Sequence, residues 1–290
     1  ELFDNIQSEQ ITLHLNEALS DSILDYNDAL NILTQTASNG FSEIEITDLK
    51  NMFSTAFDEN LFESDYVRYI TQAVIYSNPA NQLWWGGTKT AEQAVSVGNA
   101  QANMSEQSAT RLIGEWFLGT DLPMPIAGGD TATGKAAQSS FDYAQATGPL
   151  FVSGTSEPDV SQGQAGTCYV VASFGALAAK DGAIESLFID NGNDTYGVRF
   201  FIDDEIMFTT VSTSLPVTSW NRIAFTGNNS KSLSGELWPS LIEKAFVQMN
   251  GQYNIAGRDD WTGEVSYQAV EGGWASPLKF FTGLEYDYYG

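Results

Sequence analysis

One cysteine, Cys168, stands where a glycine-rich turn, Gln162-Gly163-Gln164-Ala165-Gly166-Thr167, meets an Ala/Val-rich run that reads as a helix over 168–180. A thiol at a helix N-terminus feels the positive end of the macrodipole, which favours thiolate and nucleophilic attack. Glycines before it let the backbone approach a substrate carbonyl. Gln162, six residues upstream, carries an amide N–H that could be turned toward a developing oxyanion. A structural cysteine buried in an apolar helix is the competing reading of the same residues. The chain has one histidine, His14, in Ile11-Thr12-Leu13-His14-Leu15. It lies far upstream of the cysteine, and a surface or helix-packing role suits it better than that of a base. One cysteine and one histidine exclude an intrachain disulfide and a Cys/His zinc site built within this chain.

The elements that must position Cys168 come from 290 residues with a formal net charge of −25, spread along both halves. That length supports one large or two ordinary domains. A surface so acidic repels phosphate backbones, which argues against nucleic acid as a partner. No apolar run is long enough to span a membrane. The first 145 residues read as helical. Apolar residues recur at near 3.6 spacing between Asp25 and Ala37. Ser42 with Glu45 makes a capping box for a helix through Phe57. Ser64 or Asp65 caps a helix through Ile75, and Ser105 one through Phe117. The second half mixes strands at 196–202 and 206–211 with a helix over 236–250. The expected fold class is therefore α+β: a helical domain over 1–145 and an α+β domain over 146–290. The stretch from Gly119 to Gly154 is rich in turn formers, as expected of a hinge or processing site. The chain begins at Glu1, so it is read as a piece of a longer protein from which any signal peptide is absent or removed.

Residues 162–169 resemble the nucleophile segment of calpain-type cysteine proteases, Gln-Gly-x-x-Gly-Asp-Cys-Trp. The run Gly235-Glu236-Leu237-Trp238-Pro239-Ser240-Leu241-Ile242-Glu243-Lys244-Ala245-Phe246 is similar to that family's Glu-Phe/Leu-Trp…Leu-Glu-Lys-Ala-Tyr helix. Asn250-Gly251-Gln252-Tyr253 follows as the family's Asn-Gly-x-Tyr does. The resemblance covers about 148–290, and the helical region resembles the one preceding the core in bacterial calpain-like proteins. It implies a papain-like mechanism, with Cys168 as nucleophile and Gln162 plus the Cys168 backbone N–H as oxyanion donors. Thr167 replaces the family's Asp, and the family's catalytic His and Asn are missing. The chain is thus expected to be the Cys-bearing half of a two-part active site acting on polypeptide substrates. A separate C-terminal half would carry His and Asn, and the chain alone would be inactive.

The resemblance further implies one calcium ion, Ca2+, held by the carbonyls of Val152 and Gly154 and the carboxylates of Asp159 and Glu236. The plainer readings are a capping Glu236 and an Asp159 in a turn. Asp190-Asn191-Gly192-Asn193-Asp194 lacks an EF-hand's ligand pattern and reads as a hairpin turn. Asp203-Asp204-Glu205 reads as a solvated turn, and Trp238 as core. The acidic balance favours a secreted or cell-surface setting. The helical domain is read as regulatory or a propeptide, and the alternative function is a non-catalytic calpain-like binding or scaffold module.

Overall fold

The computed structural model describes residues 3, 5–128, 139–274 and 276–284. Part of the expected hinge or processing stretch, residues 129–138, lies outside the described residues. The chain divides into two compact units: Glu1–Trp84 with Val95–Asp121, and Trp85–Ala94 with Leu122–Gly290. The second unit thus takes in residues before position 146, where the sequence alone set its start.

Among the described residues, the first unit is built on the α-helices α1 (Glu9–Ala18), α2 (Tyr26–Thr36), α3 (Glu43–Asp58), α4 (Asp65–Ile75) and α5 (Glu106–Ile113). Their starts follow from their caps. Ser42 Oγ accepts from Glu45 N at 3.2 Å, while the Glu45 carboxylate accepts from Ser42 N at 2.8 Å. Asp25 and Asp28 make the same reciprocal pair at the head of α2, and Ser64 and Ser105 cap α4 and α5. Each satisfies donors that a helix start leaves unpaired. The buried faces carry Leu33, Leu49, Phe53, Ile70 and Leu112. Asp48, buried on α3, accepts from Gln7 N at 2.9 Å and Ser8 N at 2.7 Å, which fixes the approach to α1. The helix expected from Ser105 through Phe117 keeps its direction but changes kind. After α5 it widens into a π-turn, Gly114–Leu118, closed by Gly119 in the left-handed region. A Cβ at Gly114 would lie 2.4 Å from Thr120 Oγ1. Between α4 and α5 lies a two-residue ladder, β1 (Leu83–Trp84) against β2 (Val95–Ser96), with the Arg111 guanidinium 4.9 Å from the Trp84 ring centre.

The second unit opens with short strands: β3 (Ile126–Ala127) against β4 (Ser139–Ser140), then β5 (Asp142–Gln145). It continues with α6 (Cys168–Ala178), β6 (Phe188–Asp190), β7 (Thr195–Ile202), β8 (Glu205–Ser212), β9 (Ser214–Val217), α7 (Trp238–Tyr253) and α8 (Pro277–Thr282). The strands β6, β7 and β8 form an antiparallel sheet in that order, with Thr195 opposite Ser212 and Ile202 opposite Glu205. β5 pairs antiparallel with β9, from Asp142 opposite Val217 to Gln145 opposite Ser214. Asn191–Asp194 and Asp203-Asp204 are the two tight connections of the three-stranded sheet, in keeping with the turn readings. Positive φ at Asp194, Asp203 and Asp204 suits the Asp-rich sequence there.

The core of this unit sits around α7. An amphipathic helix buries one face, but every residue of α7 from 238 to 250 is buried. The buried charges and Gln248 are bonded, whereas Ser240 Oγ, Asn250 Nδ2 and Trp238 Nε1 have no hydrogen-bond partner among the described residues. Lys244 Nζ donates to Ser212 O and Ser214 O, both at 2.9 Å. Gln248 accepts from Thr209, and Glu243 is described below. Trp238 stacks edge-on against Phe174 of α6 at 5.9 Å, and Phe174 meets Phe281 of α8. This packing fixes α6, and hence its first residue, from behind. Among the described residues no helix is long and apolar enough to cross a membrane.

Candidate active site

The segment 161–167 is held along its whole length before it delivers Cys168. Ser161 pairs with Gly227 as an antiparallel bridge, with N–H to carbonyl distances of 2.8 and 3.0 Å. Gly163 lies against the Phe225 backbone, where a Cβ would meet the carbonyl carbon at 2.2 Å. Gln164 N donates to Ala224 O at 3.0 Å, and Ala165 is buried. Gly166 N donates to the Glu271 carboxylate at 2.9 Å, and Gly166 O accepts from Gly272 N at 3.0 Å. The same carboxylate accepts from Gly128 N at 3.0 Å. The glycines of this segment are therefore sites of close backbone approach, at Gly163 by necessity.

Thr167 is the N-cap of α6, yet its side chain makes no capping bond. It turns inward and donates to Glu243 Oε1 at 2.5 Å. The first turn of α6 thus has no side-chain cap from Thr167, whose carbonyl accepts from Val170 N at 2.9 Å, and it contains no acidic residue. The helix dipole suits negative charge at this point. Cys168, the first residue of α6, is exposed, so the structural-cysteine reading does not describe its surroundings. Gln162 is also exposed; its Nε2 donates to Ala165 O at 3.1 Å. That bond uses one of the two amide hydrogens and orients the other for donation elsewhere. Next to the cysteine, Tyr169 donates to Val270 O at 2.9 Å, and burial pushes its hydroxyl well above the usual range. His14 belongs to the first unit, on α1, with Nδ1 3.6 Å from Glu17.

Glu243 is an acid that the helical pattern gave no reason to single out. It is 1% exposed and accepts three hydrogen bonds: from Thr167 Oγ1, from Thr226 Oγ1 at 2.7 Å and from Thr226 N at 2.8 Å. Burial raises its carboxyl, while these bonds and the nearby Lys231 charge pull it back down. Lys231 Nζ donates to Phe225 O at 2.6 Å and also to Ser161 O; burial lowers it to about 8. Sequence offered one signal, its place in the Leu241-Ile242-Glu243-Lys244-Ala245-Phe246 run that resembles the calpain-type helix. Glu271 offered another, as an acid directly before Gly272-Gly273.

The four residues matched to calcium lie on two segments that meet. Glu236 is buried, and its Oε1 accepts from Val152 N at 2.7 Å. Asp159 Oδ2 accepts from Ser156 N at 2.7 Å and Ser156 Oγ at 2.8 Å. Ser153 and Gly154 both have positive φ, which bends the backbone between Val152 and Thr155. Burial is the main cause raising the Glu236 carboxyl; the Val152 bond lowers it, and the charges of Asp159 and Glu185 raise it further. Like charges strained against one another with oxygen-only donors are the chemistry a hard dication relieves, so the residue types fit calcium. Among the described residues, no group of three or more His, Cys, Asp or Glu stands in position to hold a metal ion. The Glu236 and Asp159 carboxylates are turned instead to donors of the 152–159 loop.

Residues 140–275 match the family model described as Calpain family cysteine protease. Calpain-5 of Mus musculus is 30% identical over 147 residues, covering 46% of this chain and 20% of that protein. The calpain-type cysteine protease DEK1 of Zea mays is 29% identical over 126 residues, covering 43% of this chain and 5% of that protein. Calpain-9 of Mus musculus is 27% identical over 153 residues, covering 47% and 21%. The matched segments thus span between a twentieth and about a fifth of these relatives' lengths.

Proposed function

Residues 140–275 are calpain-like cysteine protease sequence, and from that premise we infer that the chain supplies the nucleophile half of a calcium-dependent endopeptidase. The observation that carries the reading is an exposed Cys168 at a helix start with no side-chain cap, delivered by a segment anchored at Ser161, Gly163, Gln164, Gly166 and Thr167. In this reading the Cys168 thiolate attacks the peptide carbonyl carbon, and the carbonyl π bond opens to an oxyanion. The free Gln162 amide hydrogen and the Cys168 N–H donate to that oxygen. Collapse expels the amine, which takes a proton, and leaves a thioester on Cys168 that water hydrolyses. The proton is carried by a histidine, oriented by an asparagine, from a C-terminal half outside these residues. His14 on α1 does not suit that task, and without a base the chain alone is inactive.

Val152, Gly154, Asp159 and Glu236 would hold the calcium ion, and Glu185 adds negative charge beside them. When bound, calcium supplies the charge that offsets the repulsion at Glu236 and joins the 152–159 loop to the head of α7. The acidic surface suits a secreted or cell-surface setting. The helical first unit is assigned a regulatory or propeptide role.

The test is labelling of Cys168 by a peptidyl thiol reagent in the presence of the C-terminal half. The reading expects labelling far faster than that of a free peptide thiol, and faster again with calcium. Labelling at the free-thiol rate would sink it and leave the non-catalytic binding module as the better description.

A further inference from the structure

We propose that Glu243 is a positioning residue for the nucleophile: one buried carboxylate that sets the start of α6 against the strip that holds the rest of the 161–167 segment. This rests on the protease reading for its catalytic meaning, and on geometry for its substance.

The segment that delivers Cys168 has two supports, and Glu243 joins them. Its upstream part is carried by residues 223–227, through the Ser161–Gly227 bridge, the Gln164–Ala224 bond and the contact of Gly163 with Phe225. Its downstream end is Thr167, directly before Cys168. Thr226 lies inside the supporting strip, and it gives Glu243 both its N–H and its hydroxyl. Thr167 gives the same carboxylate its hydroxyl at 2.5 Å. Gln162 and Cys168 are thereby referred to a single group on α7, which is buried on all sides and cannot swing. Lys231 completes the arrangement. Its ammonium bridges Ser161 O and Phe225 O and supplies the positive charge that favours an ionised Glu243. A carboxylate suits this role because it accepts three bonds without offering a hydrogen. The inward turn of Thr167 has a second effect. The hydroxyl that would cap α6 is occupied, so it takes no first-turn N–H beside the thiol, and Val170 N turns to Thr167 O at 2.9 Å.

Hydrogen exchange on the 290-residue chain, resolved by peptide, tests this directly. Thr167→Val keeps the side-chain shape and removes one bond. It is expected to speed exchange in the peptide spanning 161–168 roughly tenfold, the scale of one hydrogen bond to a charged acceptor, while α7 exchanges as before. Thr167→Ser restores the hydroxyl and should exchange like wild type. Glu243→Gln should also loosen 161–168, and the effect of adding Thr167→Val to it should be less than additive, because the Thr167–Glu243 bond is common to both changes. Wild-type exchange at 161–168 in Thr167→Val, or full additivity of the two changes, would overturn the proposal. Where Glu243→Gln fails to fold, the Val/Ser comparison at Thr167 decides alone. Slow labelling of wild-type Cys168 by the peptidyl reagent speaks against the protease reading and leaves the exchange result to decide the role of Glu243.

Discussion

Gly163 and Phe225 are in contact through their backbones, so closely that a Cβ on Gly163 would lie 2.2 Å from the Phe225 carbonyl carbon. No flexible side chain is there to yield, so the position requires glycine for space. Gly163→Ala is expected to cost at least about 1–3 kcal/mol, the range for overpacking, measured by urea unfolding. Gly175, inside α6, has nothing within 4 Å of its Cβ position. Gly175→Ala should therefore stabilise, by roughly 0.5–1 kcal/mol from helix propensity. A neutral Gly163→Ala would contradict the close approach.

Calcium should raise the melting temperature of the chain if Val152, Gly154, Asp159 and Glu236 hold it. At a hundredfold excess over Kd the linkage amounts to about 2.7 kcal/mol, a shift of several degrees. Asp159→Asn with Glu236→Gln should abolish the shift. A double variant that still responds like wild type would remove calcium from this place.

Stability should fall, then recover, as pH rises. Glu236 and Glu243 are both held above the ordinary carboxylate value of 4.5, so the folded chain binds their protons more readily than the unfolded chain does. Stability contributed by those protons is present below 4.5 and is lost as pH climbs through the raised values. Lys231 acts in the opposite sense. It sheds its proton at about 8 in the fold, against 10.5 unfolded, so stability rises between those two values. Unfolding midpoints measured against pH should show the decline flattened in Glu236→Gln. The alkaline rise should be missing from Lys231→Met.

Two tryptophans should respond oppositely to truncation. Trp238 is 0% exposed and packs on Phe174, whereas Trp220 is 85% exposed. Trp238→Ala should cost about 3–5 kcal/mol. Trp220→Ala should stay within about 0.5 kcal/mol. Equal effects on the urea midpoint would mean that the second unit does not pack around α7.

Local chemistry was legible in the sequence where the structure is local. The capping box at Ser42 starts its helix as the spacing implies, α2 lies where the 3.6 period places it, and β7 and β8 lie where alternation places them. The two-residue ladders and β6 carry too few residues for a period to show. β5 was taken into the helical half because its partner, β9, lies some seventy residues downstream, and such pairing leaves no local mark. The segment from Gln162 to Cys168 was legible from residue type; what grips it was not. Glu243 sits in an apolar helix that is buried all round, where amphipathic reasoning assumes a wet side. Glu271 acts on Gly166 across more than a hundred residues.

That last contact bears on the order of events during synthesis. The hydrogen bonds described above that tie the 161–167 segment to other parts of the chain come from later sequence: 223–227, Lys231, Glu243, then Glu271. A nascent chain that has emerged only through α6 carries its thiol on an unsupported stretch. The segment can be completed only after Glu271 has left the ribosome, which makes it one of the last parts of its unit to be set. A chain cut short anywhere before that residue would display Cys168 without the surroundings that give it a defined position.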